Sequence, residues 1–156
     1  MPHKRRHLFA AVSFVILLVF LLTEFRIAVV HGDSMLPTYK NGQMVLVNRL
    51  PGGRVSHGDV VLVKANDEVL IKRVYRLPGE TLSLRDAYRF RHATEYFEPT
   101  HRSEAPLRVP DGRMVVLGDN SAVSDDSRSF GPIALSDVIG KVLNAPPPPQ
   151  PILTRE

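Results

Sequence analysis

Six short segments with the alternating, β-branched pattern of strands follow one another between residues 44 and 143. They are separated by turn sequences rich in glycine, proline, asparagine and aspartate. No long stretch after residue 30 has helical periodicity. This pattern predicts a mostly β fold, an antiparallel coiled sheet or partial barrel. The predicted strands cover 44–48, 60–64, 69–74, 81–84, 114–118 and 138–143, with turns at 51–53, 57–59, 65–67, 78–80 and 110–112.

The N-terminal segment has a different character. Residues 8–22, LFAAVSFVILLVFLL, contain Ser13 as their only polar side chain and follow a basic cluster at 4–6. A hydrocarbon core of about 30 Å requires roughly 20 helical residues, so we predict one N-terminal transmembrane helix, a signal anchor, over residues 8–30. The positive-inside rule places the basic end, residues 1–7, in the cytoplasm.

A cleaved signal peptide would have the same layout of basic start and apolar core. Such a peptide should end in a pair of small residues, whereas Thr23, Glu24, Phe25 and Arg26 follow the apolar run here. We therefore favour an uncleaved, single-pass anchor. The β-rich domain then covers residues 31–144 on the far side of the membrane. The proline-rich tail, residues 145–156, is expected to be disordered, because proline cannot donate to a sheet. Within residues 85–110, a hairpin around residues 88–97 and a long loop are both possible.

Composition excludes several classes of protein. The chain has no cysteine, which excludes a thiol nucleophile, disulfides and a Cys-ligated zinc site. The net charge of +4 comes mostly from the N-terminus, because residues 31–156 contain 16 basic and 15 acidic side chains. A nucleic-acid-binding domain would carry a basic patch, so nucleic acid is not an expected partner. The histidines show no metal-binding spacing, and we expect neither a metal nor a cofactor.

Two residues could form a catalytic pair. Ser34 lies in a loop rich in glycine and proline just after the apolar segment, where a serine is most often an ordinary turn residue. In the predicted strand at 69–74, alternation places Lys72 on one face with Leu70 and Val74. A lysine on an apolar face either extends to solvent or has a lowered pKa. A neutral lysine amine can take the proton of a serine hydroxyl, as Ser/Lys hydrolases require. His31, close to Ser34 in sequence, is an alternative base.

A polar segment at 118–133, GDNSAVSDDSRSFGPI, lies between apolar strands. Its many small and polar residues are compatible with a solvated loop or, because of the aspartates and asparagine, with a calcium-binding loop. The EF-hand spacing fails after Asp119, because Ser121 and Val123 occupy the third and fifth positions. Asp126 and Arg128 could brace a site or form a surface pair, and the sequence does not separate the two.

Three segments, taken in order, resemble the signature boxes of the type I signal peptidases. They are GDSMLPT at 32–38, IKRVYRLPGE at 71–80 and the segment at 118–133, and HGDVVLVK at 57–64 resembles an intervening strand box. One such box alone would be weak evidence for the family, but three boxes in order behind an N-terminal apolar segment are a specific signal of it.

The resemblance implies a role for each matching residue. Ser34 corresponds to the nucleophile, Lys72 to the general base, and Ser124 to the serine that hydrogen-bonds and orients the lysine. The remaining matches are the structural pair Asp126 and Arg128 and the loop entry Gly118, Asp119 and Asn120. The backbone N–H of Ser34 would stabilise the oxyanion. Some members have a serine donor two positions earlier, where this chain has Gly32, so no side-chain donor is expected.

Two departures from the family pattern are present. Glu80 stands where the family usually has aspartate, and residues 85–110 match no box and are short. The chain would therefore consist of the catalytic core with little of the accessory domain of larger relatives.

The implied function is a membrane-bound serine endopeptidase that removes signal peptides from exported preproteins. Its partners would be preprotein signal peptides and membrane lipid, with the protein translocation channel as a further candidate. It would reside in the plasma or inner membrane, with the catalytic domain on the periplasmic or extracellular side; a mitochondrial relative also fits. A specialised Ser/Lys maturation peptidase with few substrates and an inactive, membrane-anchored peptide-binding module remain as alternatives.

Overall fold

The computed structural model describes residues 2–49, 55–90, 92–101 and 104–149. Helix α1 (Pro2–Glu24) leads directly into β1 (Phe25–Val29). The remaining long strands are β2 (Met44–Asn48), β3 (Val60–Ala65), β4 (Glu68–Arg76), β8 (Arg113–Leu117) and β10 (Val138–Val142). Shorter elements are β5 (Thr81–Leu82), α2 (Leu84–Arg89), β6 (Glu98–Pro99), β7 (Leu107–Arg108), α3 (Ser127–Phe130) and β9 (Ile133–Ala134), with 3₁₀ turns at Thr94–Tyr96 and Leu135–Asp137.

Seven strands form one sheet in the order β1-β2-β10-β3-β4-β8-β9. Every neighbouring pair is antiparallel, and the described strands leave β1 and β9 as open edges. This confirms a mostly β, antiparallel fold. Five predicted strands agree with β2, β3, β4, β8 and β10 within about two residues. The sixth, at 81–84, is shorter, because Ser83 accepts a hydrogen bond from Asp86 N and caps helix α2.

The predicted transmembrane helix at 8–30 is not found. The helix ends at Glu24, and residues Phe25–Val29 pair with β2, from Phe25 opposite Asn48 to Val29 opposite Met44. The backbone groups of this segment are satisfied by a neighbouring strand and not by a continuing helix. Within residues 2–49, 55–90, 92–101 and 104–149, no helix combines the length and apolarity needed to cross a membrane.

A second, three-stranded sheet has the order β5-β7-β6. Two of its strands, β6 and β7, lie within residues 85–110, for which the sequence predicted no single structure. The hairpin considered around residues 88–97 is not formed; α2 and a 3₁₀ turn occupy that stretch. Phe90 and Phe97 from this region pack with Tyr75 of β4 in one apolar cluster. The 85–110 region is therefore a small layer that covers one face of the main sheet.

The tail begins as part of the domain. Ala145 packs beside a cluster that includes Met35 and Val47, and the carbonyl of Pro146 accepts a hydrogen bond from Arg73 at 3.1 Å. No strand occurs over residues 145–149. The predicted turn at 51–53 and the remaining tail, residues 150–156, lie outside the described residues.

Strand β4 is paired unequally along its length. Its whole first part pairs with β3, from Glu68 opposite Ala65 to Arg73 opposite Val60. On the other side β8 pairs only with Arg73, Val74 and Arg76. The edge of β4 over residues 68–72 is therefore open on the side that β8 leaves uncovered, next to Lys72. An open edge of this kind can accept another extended chain.

Candidate active site

Ser34 lies in the loop between β1 and β2, which is held at both ends. The amide of Gly32 donates to Asn41 Oδ1 at 3.0 Å, and Gly32 has a φ of +79°, a conformation that favours glycine. On the other side Asn120 N donates to the carbonyl of Ser34 at 2.9 Å, and Asn120 Nδ2 donates to the carbonyl of Asp33 at 3.1 Å. Asn120 therefore holds the Ser34 loop through two backbone carbonyls.

Lys72 reaches Ser34 from strand β4. The Nζ of Lys72 donates to Ser34 Oγ at 3.0 Å, across 38 residues of sequence. Lys72 is only 3% exposed. Leu70 and Val74 both pack with the same apolar cluster, consistent with the predicted shared face of Leu70, Lys72 and Val74. The lysine is therefore buried and does not extend to solvent.

Burial lowers the pKa of Lys72 below its ordinary value, because the ammonium loses hydration that the neutral amine does not need. The carboxylates of Asp126 and Asp125 act in the opposite direction, and the Arg128 guanidinium adds to the lowering. The net direction is downward. A larger fraction of Lys72 is therefore neutral near pH 7 than for a lysine in water, and a neutral amine is able to accept a proton.

The loop after β8 is built around the carboxylate of Asp126. Its Oδ2 accepts from Gly118 N at 2.9 Å and from Arg128 Nη2 at 2.6 Å, while Oδ1 accepts from Arg128 Nε at 2.8 Å. Burial alone would raise the pKa of Asp126, but these donors outweigh it and hold the pKa below its usual value. The buried carboxylate is thus ionised and fully paired, which fixes the loop beside Lys72.

Gly118 is required by close packing. A Cβ at this position would lie 2.2 Å from Ser124 Oγ and 2.6 Å from the carbonyl oxygen of Ser34. Both distances are well inside van der Waals contact, and the second partner is backbone. Only glycine allows this loop to approach the nucleophile segment so closely.

Ser124 lies next to Gly118 but does not make the predicted hydrogen bond. Its Oγ is buried and makes no hydrogen bond to Lys72; the hydroxyl instead lies near Asp126 and helps to hold the pKa of that carboxyl below its usual value. Lys72, which Ser124 was expected to orient, donates instead to the hydroxyl of Ser34. The structure therefore places Ser124 near the site without assigning it the predicted contact.

Asp119 not only begins the loop after β8 but also pairs with a buried cation. Arg73, next to Lys72 on β4, forms a bidentate ion pair with it: Nε to Oδ1 at 2.8 Å and Nη2 to Oδ2 at 2.7 Å. Arg73 also donates to the carbonyls of Gly58 and Pro146, and the hydroxyl of Thr38 donates to Asp119 Oδ2. Sequence reasoning missed Arg73 and Thr38, because alternation placed Arg73 on the strand face opposite Lys72 and gave no sign that this face is buried too.

Two cavities meet at the Ser34–Lys72 pair. The larger, about 500 Å³, is lined mainly by polar and charged residues, including Asp33, Glu68 and Asp125. The smaller, about 220 Å³, is lined largely by small and branched apolar side chains, among them Ala28, Val30, Val45, Leu62 and Ile71. His31 lines both cavities, yet no hydrogen bond joins it to Ser34 in the described part of the chain.

A serine hydroxyl beside a buried lysine amine is the pairing that a serine hydrolase with a lysine base requires. Among the described residues, no group of three or more histidines and carboxylates could hold a metal ion. The family model described as "Signal peptidase, peptidase S26" matches residues 4–144.

Named relatives agree with this family. Signal peptidase I V of Bacillus subtilis (strain 168) is 34% identical over 138 residues, covering 74% of this chain and 82% of the relative. Signal peptidase IB of Staphylococcus aureus (strain Mu50 / ATCC 700699) is 33% identical over 161 residues, covering 85% and 83%. A signal peptidase I crystal structure from Enterococcus faecalis V583 is 28% identical and aligns with a TM-score of 0.42 over 57% of this chain and 97% of that chain.

The chain belongs to the signal peptidase family, peptidase S26, and is a serine peptidase. This assignment depends on the family model and the relatives of known name.

Proposed function

We propose that this protein removes signal peptides from exported preproteins, with Ser34 as nucleophile and Lys72 as general base. The observation that carries the proposal is the 3.0 Å contact between Lys72 Nζ and Ser34 Oγ in a site where Lys72 is only 3% exposed. Family membership supplies the substrate class. Ser124, Asp126, Arg128, Gly118, Asp119 and Asn120 are proposed to support this pair, Asp126 and Arg128 by fixing the loop beside it.

The reaction begins when the neutral Lys72 amine accepts the Ser34 hydroxyl proton. Oγ then bonds to the carbonyl carbon of the scissile peptide. As the tetrahedral intermediate collapses, the C–N bond breaks and the Lys72 ammonium gives its proton to the departing amine. Water next loses a proton to Lys72 and attacks the acyl ester. The ester C–O bond then breaks, the Lys72 ammonium returns the proton to Ser34 Oγ, and the signal peptide leaves as a carboxylic acid. Lys72 ends each cycle in the neutral form in which it began.

The oxyanion is proposed to bind the backbone N–H of Ser34. No described residue accepts a hydrogen bond from this N–H, so it is available to a substrate oxygen. Gly32, two positions earlier, has no side chain to supply a second donor. A single backbone donor from the chain itself is therefore the expected arrangement.

The substrate is proposed to bind as an added strand along the open edge of β4 at residues 68–72. The apolar cavity of about 220 Å³ lies beside this edge, lined by Val69, Leu70 and Ile71. Family membership suggests small residues at the first and third positions before the cut, and the apolar lining of this cavity suits uncharged side chains there. A peptide library that revealed a preference for basic or bulky residues at the first position would contradict this specificity.

Membrane association is proposed to depend on α1. Apolar side chains on all faces of its middle section are exposed, including Phe9, Phe14, Ile16 and Leu17. Lipid is the occupant we propose for this surface. Sedimentation of the protein with lipid vesicles, lost when Phe14 and Leu17 are replaced by serine, would support this; recovery of wild type in the soluble fraction would contradict it.

The decisive experiment compares wild type with Ser34→Ala on a radiolabelled preprotein in detergent. Wild type should cleave it and Ser34→Ala should not, whereas the exposed control Ser136→Ala should retain full activity. Cleavage by both wild type and Ser34→Ala, or by neither, would contradict the proposal. Activity should also rise with pH through an apparent pKa below the ordinary lysine value of 10.5, because burial lowers the pKa of Lys72. A panel of preproteins distinguishes a general enzyme from a maturation peptidase with few substrates.

A further inference from the structure

The larger of the two cavities at Ser34 has an unusual set of charges. Asp33, Glu68 and Asp125 line it, and they come from three separate segments of the chain. Eight other carboxylates of the domain lie within ion-pair distance of a lysine, arginine or histidine. These three make no ion pair or side-chain hydrogen bond with any described residue. We refer to this space as the acidic cavity.

The acidic cavity is open to the reacting atoms. Ser34 and Lys72 form part of its wall, and Lys72 is the only lysine or arginine among its lining residues. Lys72 is buried, with the Ser34 hydroxyl as its hydrogen-bond partner, so it does not neutralise the exposed carboxylates as a surface pair would. Any peptide that reaches Ser34 therefore meets an excess of negative charge on this side.

The position of the acidic cavity relative to the cut follows from its neighbour. Both cavities share His31, Ser34, Leu70 and Lys72, so they meet at the nucleophile. Glu68 lines only the acidic cavity, whereas Val69 and Ile71 line only the apolar one, so the two cavities lie on opposite faces of the β4 edge. A peptide added along this edge, with its first and third residues before the cut in the apolar cavity, turns its second and fourth residues towards the acidic cavity. This assignment rests on the proposed function, in which small residues precede the cut.

We propose that the acidic cavity faces the second and fourth residues before the scissile bond and selects there for basic or neutral side chains against acidic ones. A cation entering the cavity gains favourable interaction with three unpaired carboxylates, while an added carboxylate is repelled by all three. The groups are solvated, so each contributes modestly, and their combined effect should be about tenfold in kcat/KM between lysine and glutamate.

The test uses peptides that are identical except for lysine, glutamine or glutamate at the second or fourth position before the cut. Wild type should cleave the lysine peptides about tenfold more efficiently than the glutamate peptides at low salt. In Glu68→Gln and Asp125→Asn the ratio should fall to about threefold, and about 1 M NaCl should reduce it in wild type. Asp67→Asn is the matched control, since its fully exposed side chain on the same turn lies outside the acidic cavity and should leave the tenfold ratio unchanged.

Cleavage of the glutamine peptide by wild type, and its loss in Ser34→Ala, reports on the proposed function separately. If wild type does not cleave the glutamine peptide, both the proposed function and this inference fail. If it does, but lysine and glutamate peptides differ by less than twofold, the selectivity is overturned and the peptidase function stands. An undiminished ratio in both Glu68→Gln and Asp125→Asn, or an equal effect at positions after the cut, overturns it equally.

Discussion

Two adjacent residues of β4 show opposite ways to bury a cation. Arg73, 1% exposed, has a carboxylate and two backbone carbonyls as partners: Asp119, Gly58 and Pro146. Lys72, 3% exposed, has only the hydroxyl of Ser34 as a hydrogen-bond partner in the described part of the chain. Burial is almost the same on the two faces of the strand, and only the number and charge of the partners differ.

This difference separates a structural cation from a chemical one. A guanidinium with an ionic partner and satisfied donors stays charged and joins distant segments of the fold. An amine without a directly paired carboxylate loses its proton more easily, and the pKa of Lys72 is lowered mainly by burial. The loop at 118–120 contacts both sites, through Asp119 on the arginine side and Asn120 on the Ser34 side.

The largest expected effect follows when Lys72 is replaced by arginine, the residue type of its neighbour Arg73. Lys72→Arg keeps a positive charge but introduces a group that does not deprotonate in proteins. Activity should fall about 10⁴-fold, as far as in Lys72→Ala, because no base remains. Cleavage assays on folded variants measure this, and Lys64→Arg, at an exposed position of β3, is the matched control. Substantial activity in Lys72→Arg would show that Lys72 is not the base and would make His31 the next candidate.

Removing the paired cation should affect stability first. Arg73→Met leaves Asp119 buried without its ionic partner and should cost about 3–5 kcal/mol of unfolding free energy. Urea denaturation followed by circular dichroism measures the change, with the exposed Lys64→Met as control. The double variant Arg73→Met/Asp119→Leu should lose less than the sum of the two single changes, since no lone charge remains. A loss below about 1 kcal/mol in Arg73→Met would remove the proposed contrast between the two cations.

The shared loop can be disturbed at Gly118. An added Cβ would lie 2.6 Å from the carbonyl oxygen of Ser34, so Gly118→Ala must displace the nucleophile segment. We expect kcat to fall about 10²-fold, the scale of a misplacement of about 1 Å. Gly112→Ala is the comparison, because it introduces strain at a positive φ but has no atom within 4 Å of the added Cβ. Equal kinetic losses in the two variants would argue against close approach as the cause.

The smallest expected effect is on the free energy of unfolding, which the buried Lys72 lowers near pH 7. Its pKa is lower in the folded than in the unfolded protein, so protonation near pH 7 favours unfolding. Lys72→Met should therefore be about 1 kcal/mol more stable at pH 7, or about 2–4 °C in Tm, while being inactive. The gain should shrink as the pH rises through the lowered pKa of the folded state and should vanish above 10.5, where the amine is neutral in both states. Thermal melts from pH 7 to pH 10 would refute this if the variant were less stable throughout.

Local pattern was sufficient for much of the sheet. β2, β3 and β4 alternate clearly and are bounded by turns, and Asn66 and Asp67 adopt the positive φ values of the tight β3–β4 turn. β1 was missed because its residues continue an apolar run. Its strand conformation depends on pairing with β2 some twenty residues later, which no local signal records.

The residues of the candidate site were likewise predictable only in part. Motif resemblance selected Ser34 and Lys72, which the structure brings together. The partner of Arg73 lies 46 residues away, and alternation alone cannot show that both faces of β4 are covered. The expected contact of Ser124 with Lys72 came from resemblance only, and side-chain geometry at that level depends on packing that the sequence does not state.

Helix α1 passes into β1 without an intervening residue, and Arg49 N donates to the carbonyl of Glu24 at 2.7 Å where the two elements meet. With no linker residue between the two elements, we expect a change in the tilt of the helix to shift β1, whose Ala28 and Val29 line the apolar cavity beside Ser34. The orientation of the helix is then one of the factors that set the shape of the cleft.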